Sequence, residues 1–102
     1  MDIVFHGHHA VMSDRLKERA TRGLQRLQRR IADATDATVL FQQDGSERRV
    51  ELRVHAPGHR NLVAEGRAPY YGPALRLALT HLEAQLGHVR RDRRERAARV
   101  AR

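Results

Sequence analysis

The sequence predicts an α+β fold in the order β-α-β-β-β-α, a four-stranded sheet with two helices packed on one of its faces. Three observations predict it. Leu16, Ala20, Leu24, Leu27 and Ile31 recur at helical spacing. Residues 48–56 alternate strictly, with Val50, Leu52 and Val54 on one side and Arg49, Glu51, Arg53 and His55 on the other. A second helical stripe, Leu75, Ala78, Leu79, Leu82, Leu86 and Val89, follows Gly72-Pro73, with proline in its tolerated first-turn position.

The elements follow in order. Residues 2–6 (DIVFH) read as a short strand ended by Gly7. Ser13 is a helix N-cap, and Asp14 complements the partial positive charge of the first turn. This predicts a helix over about 14–33. Residues 37–43 (ATVLFQQ) form the second strand and lead into the turn Asp44-Gly45-Ser46. The third strand ends at Pro57-Gly58. In the fourth, 61–67, Leu62 and Ala64 point inward and Val63, Glu65 and Arg67 outward. One-sided alternation of this kind suits an antiparallel sheet with one solvated face.

With 102 residues the chain makes one domain, whose folding hides roughly 65% of the unfolded surface. Residues 1–89 form that domain, and 90–102 are a basic tail, read as a helix extension or a disordered terminus. No apolar run reaches membrane-span length, so export and insertion are not expected and the expected location is the cytoplasm. The absence of cysteine excludes disulfides, thiolate metal sites and cysteine nucleophiles.

Charge dominates the composition. The formal net charge is +8 and the pI about 11.4, as in nucleic-acid binders. Lys17 is the single lysine among 20 strong cations. The rest are arginines, whose planar forks hold phosphate in a bidentate way. Phe5, Phe41, Tyr70 and Tyr71 are the only aromatics, too few for recognition by base stacking. Backbone and shape recognition is the mode left.

Two arginine groups are candidate phosphate contacts. At about 100° per residue, Arg15, Arg19, Arg22, Arg26, Arg29 and Arg30 lie within about 60° of one direction, some 140° from the apolar stripe. Ordinary solvated faces mix signs, yet Glu18 alone touches the margin of this one. The tail adds seven arginines, Arg90, Arg91, Arg93 and Arg94 among them, against Asp92 and Glu95. It lacks the bulky apolar face of a membrane-surface helix.

His8 and His9 are further RNA-facing candidates, and the Arg49/Arg53 strand face is another. The histidines lack convergent carboxylates, so no metal site and no cofactor are expected. There is no P-loop, dinucleotide fingerprint or nucleophile elbow, so no enzyme and no small-molecule substrate are expected.

These features resemble the ribosome hibernation promoting factor and ribosome-associated inhibitor family over nearly all of residues 1–90. The resemblance rests on the entry DIVFHGHHAVMSDRLKERA, the three-strand middle, AEG at 64–66 and LEAQL at 82–86. It implies a β-α-β-β-β-α fold whose basic helical face occupies the mRNA and tRNA channel of the small ribosomal subunit, silencing idle ribosomes. The partner would be rRNA phosphate, and the protein a monomer off the ribosome, of the short class without a C-terminal dimerisation domain. Two departures stand out. APYYGPALR replaces the family's acidic turn before the second helix, and His8-His9 replaces a pair that is usually Arg or Asn. The rival readings are a general double-stranded-RNA or nucleoid-binding module, and a protein-interaction module using the open sheet face.

Overall fold

Apolar residues at alternating strand positions and at helical spacing leave one economical arrangement, two helices covering one face of a sheet. The structure of the protein, a computed structural model, has this arrangement; it describes residues 1–8, 10–31, 33–57 and 61–100, with side chains through residue 87. The elements are β1 (Asp2–His8), α1 (Asp14–Gln28), β2 (Asp36–Asp44), β3 (Glu47–His55), β4 (Leu62–Ala68) and α2 (Tyr71–Val100).

The sheet order is β1-β2-β3-β4. β2–β3 and β3–β4 are antiparallel, but β1 runs parallel to β2, from Asp2 beside Asp36 to His8 beside Gln42. The sheet is therefore mixed, not antiparallel as the alternation suggested. The reason is connectivity: α1 crosses between β1 and β2, and a strand–helix–strand crossover returns the chain in the same direction. The hairpin β2–β3 closes through Gly45-Ser46 with Asp44 opposite Glu47. Gly45 has φ +62°, which tight hairpin turns require at their first central position.

Each strand sends one side into a common core. Ala37, Val39 and Phe41 of β2, Val50, Leu52 and Val54 of β3, and Leu62 and Ala64 of β4 are buried there. Ala20, Leu24 and Leu27 of α1 and Ala74, Leu75, Ala78, Leu82 and Leu86 of α2 meet them. Each large side chain removed from water in this way stabilises the fold by about 1.5–3 kcal/mol. Tyr71 anchors the start of α2, its ring edge-on to Phe41 at 5.4 Å and 72°, with the Arg48 guanidinium 5.7 Å from its centroid.

Two boundaries differ from the sequence expectation by more than one residue. β1 does not end at Gly7 but continues to His8. A Cβ on Gly7 would stand 2.8 Å from the Ala10 carbonyl oxygen, so this glycine lets the chain fold back over the strand. α1 stops at Gln28, not near 33. The next residues form tight turns, Arg30 N–H to Leu27 O at 2.9 Å and Ile31 N–H to Gln28 O at 3.0 Å. These i→i−3 bonds satisfy terminal carbonyls and still bury Ile31, so the apolar period outlasts the helix.

α2 packs closely on β4. A Cβ on Gly66 would run into the Ala74 carbonyl oxygen and stand 2.6 Å from the Ala78 nitrogen. α2 also covers the outer edge of β4: Gln85 Nε2 donates to Val63 O at 2.5 Å and His81 Nδ1 to Glu65 O at 2.7 Å. Where α1 meets α2, a Cβ on Gly23 would approach only the Leu79 methyls, at 2.7 and 2.9 Å. Gly66→Ala should therefore destabilise the protein by roughly 1–3 kcal/mol or more, since backbone must move. Gly23→Ala should stay within about 1 kcal/mol of the parent, because a flexible leucine can yield and alanine favours helix. Urea melts of the two variants test the contrast.

Candidate nucleic-acid interface

α1 is oriented by its ends and its buried side. The Ser13 hydroxyl oxygen accepts the Leu16 N–H at 3.2 Å, fixing the first turn. With Ala20, Leu24 and Leu27 in the core, the opposite side must face water. Arg15, Arg19, Arg22, Arg26, Arg29 and Arg30 are all exposed on it. The first four lie within α1, Arg29 is its C-cap, and Arg30 stands in the following turn.

Acids neutralise little of this row. Arg22 pairs with Glu18 at 2.5 Å, both side chains well exposed, and Arg30 pairs with Glu83 of α2 at 3.0 Å. Arg15, Arg19, Arg26 and Arg29 form no ion pair among the described residues. Like charges three or four residues apart on a helix cost about 0.2–0.5 kcal/mol each. The row contains four such neighbour pairs within α1 and its cap, so its arrangement disfavours the free helix and favours an anion laid along it.

The open face of the sheet is built in the opposite way. Arg53 donates to Glu51 at 3.0 Å, Arg49 to Glu51 at 3.2 Å and to Glu65 at 2.7 Å. Arg67 reaches Glu65, Glu47 and Asp44 at 3.4, 3.6 and 3.9 Å. Glu51 is only 7% exposed, roofed by its two arginines, although alternation puts it on the solvated side. The bond to Glu65 raises the Arg49 pKa above its ordinary value against the opposing effect of burial. The same bond holds the Glu65 carboxyl below the usual carboxylate range. Arg49, largely buried, is thus held by two carboxylates, whereas Arg53 makes a single bond to Glu51 and stays 65% exposed.

Of the histidine and tail candidates, only His8 lies among the residues whose side chains are described. His8 ends β1, in register with Gln42, on the alternation that carries Val4 and His6 to the open face. His9 lies outside the described residues, as do the side chains of Arg90, Arg91, Arg93 and Arg94. Among the described residues no group of three or more potential ligands could hold a metal ion, and no helix is long and apolar enough to cross a membrane.

One cation escaped the sequence reading. Arg76, exposed in the first half of α2, lines a solvent-open groove of about 280 Å³ with Arg26 and Arg30 of the α1 side. Farther up, the Arg19 guanidinium lies over Gly72, 3.2 Å from where a Cβ would stand. The available signal was the spacing 76–79–83, which flanks the buried stripe 75–78–82–86 and marks the edge of α2 turned toward a neighbouring helix.

A family model described as sigma 54 modulation protein / S30EA ribosomal protein matches residues 3–94. No curated protein matches the chain. Among solved structures, a ribosomal subunit interface protein from Coxiella burnetii is similar with a TM-score of 0.81 and 22% identity, over 88% of this chain and 98% of that one. The N-terminal domain of Protein Y from Thermus thermophilus is similar with a TM-score of 0.72 and 26% identity, over 87% and 99%.

The Arg49–Glu65 bond carries a pH signature. Because the folded-state pKa of Glu65 is depressed, its stabilisation is present above the ordinary carboxylate pKa and is lost as pH falls through the depressed value. Glu65 is 45% exposed, so solvent screening limits the pair to about 0–1 kcal/mol. Glu65→Gln should lose that amount near pH 7. The difference from the parent should shrink on acidification, as read by urea melts across pH 2–7.

Proposed function

The chain belongs to the sigma 54 modulation protein / S30EA ribosomal protein family, and on that premise we propose that it is a non-enzymatic, rRNA-binding regulator of translation. It occupies the mRNA and tRNA channel of the small ribosomal subunit and silences idle ribosomes, acting in the cytoplasm as a monomer when off the ribosome. The observation that carries this reading is the arginine row of α1, in which Arg15, Arg19, Arg26 and Arg29 have no acid partner among the described residues, set against a sheet face whose arginines are matched by acids. Phosphate is the anion that such a row suits. It is presented at regular intervals along RNA, and each arginine can take it through two parallel N–H···O bonds. The name of the Coxiella protein, a subunit interface protein, agrees with a ribosomal partner. Arg15, Arg19, Arg22, Arg26 and Arg29 grip rRNA phosphates, and Arg90, Arg91, Arg93 and Arg94 extend the contact along the tail.

Replacing Arg19, Arg22 and Arg26 together by Gln should leave the fold intact, because exposed substitutions change stability by less than about 0.5 kcal/mol each. Affinity for isolated small subunits should fall sharply, and the slope of log affinity against log salt should drop by about 3. A folded triple variant that binds as tightly as the parent defeats the assignment of the row.

Channel occupancy makes a separate demand. Two ligands for one site exclude each other reciprocally. mRNA and initiator tRNA already on the small subunit should therefore weaken association at least about tenfold at fixed salt, about 1.4 kcal/mol. Duplex RNA of equal charge should compete far less well than free subunits. Undiminished simultaneous binding would refute channel occupancy, and efficient competition by duplex would favour a general RNA binder.

A further inference from the structure

Resting on the proposed RNA-binding reading, we propose that the groove between α1 and α2 seats one phosphate of the RNA backbone among Arg26, Arg30 and Arg76, and that Glu83 fills this seat in the free protein as a built-in competing anion. The groove is lined by those three arginines, and Glu83 is its one carboxylate among the described residues. Its floor includes Leu27 and Leu79. A cleft lined by one sign of charge over apolar walls focuses the electric field and concentrates counter-ions. Within that field the Arg30 guanidinium is held by Glu83 at 3.0 Å. The two residues are 53 positions apart in the chain, so the bond is a product of how the helices meet and not of helical periodicity.

The exposures point to exchange. Arg30 is 35% exposed and Glu83 59%, so the pair sits at the mouth of the groove where an incoming phosphate can displace the carboxylate without burying a charge. An exposed pair of this kind is weak, about 0–1 kcal/mol, and a charge-assisted bidentate phosphate contact is stronger. Glu83 therefore holds Arg30 in the free state and yields to RNA. The cost of that exchange tempers affinity, and it discriminates against anions too weakly held to displace a carboxylate.

Binding of the full-length protein to isolated small subunits at fixed salt tests this. Glu83→Gln removes the competitor, keeps the side-chain volume, and should bind about two- to fivefold tighter, the factor equivalent to an exposed ion pair. Arg76→Gln should bind several-fold weaker. The decisive readout is a double-mutant cycle: in an Arg30→Gln background the gain from Glu83→Gln should vanish, since no partner is left to release. A gain that persists there would mean Glu83 merely repels RNA at a distance, and no gain at all would mean it does not compete. Either result overturns the seat. The Arg19/Arg22/Arg26 triple variant, measured alongside, separates the role of the row from that of the seat. If it loses binding while Glu83→Gln changes nothing, the RNA-binding reading stands and the seat falls; if it binds like the parent, both fall. In a second arm, inorganic pyrophosphate is titrated against the protein without subunits. No saturation below the millimolar range is expected, because a free anion gains the groove but not the flanking row. Saturation at micromolar concentration would overturn the assignment to RNA backbone in favour of a free oligophosphate.

Discussion

The contact between α2 and β4 at Gly66 governs the geometry of everything outside the core. Only a residue without a side chain lets the backbone of α2, at Ala74 and Ala78, come down onto the strand. That approach fixes the height and rotation of α2. Its rotation buries Leu75, Ala78, Leu82 and Leu86 and turns Arg76 and Glu83 toward α1, where they meet Arg26 and Arg30. The phosphate-facing surface is thus composed by a glycine on the far side of the helix. The AEG segment at 64–66 is legible as a constraint once that is seen: a small residue, an outward acid that holds Arg49, and the glycine under the helix.

The molecule separates its charges by layer. On the open side of the sheet, arginines and carboxylates alternate along β3 and β4 and pair diagonally between them, as Arg49 does with Glu65. On the helical side, four arginines of the α1 row have no acid among the described residues. Arginine content alone does not distinguish these layers, since both are rich in it. What distinguishes them is the presence of a partner within bonding distance. A partnered arginine would have to break a bond to take phosphate, whereas Arg15, Arg19, Arg26 and Arg29 gain relief from mutual repulsion when an anion arrives.

Local geometry was readable in the sequence, and pairing between distant segments was not. The strand alternation at Val50, Leu52 and Val54 and the stripes of both helices follow from periods of about 2 and 3.6 residues, and the α1 arginine row follows from the same arithmetic. The parallel pairing of β1 with β2 depends on the crossover and leaves no mark on either strand's own pattern. The end of α1 was misplaced because Ile31 stays buried after the helix has given way to turns, so burial and helical period coincide by accident at that point. Arg76 and Glu83 were missed for a related reason, as their meaning comes from a helix more than forty residues earlier in the chain. Arg49 and Arg53 were readable as exposed cations, but their acids, Glu51 and Glu65, become neighbours only through strand pairing.

The cover that α2 places over β4 also has a consequence for self-association. An uncovered outer strand is a template on which another polypeptide can add by backbone pairing, a route from a sheet to a fibre. Here the outward carbonyls of Val63 and Glu65 already accept bonds from Gln85 and His81. A second chain could extend the sheet at that border only by first displacing two side chains from the neighbouring helix. That side of the sheet is therefore guarded against polymerisation by the same helix that shapes the basic groove.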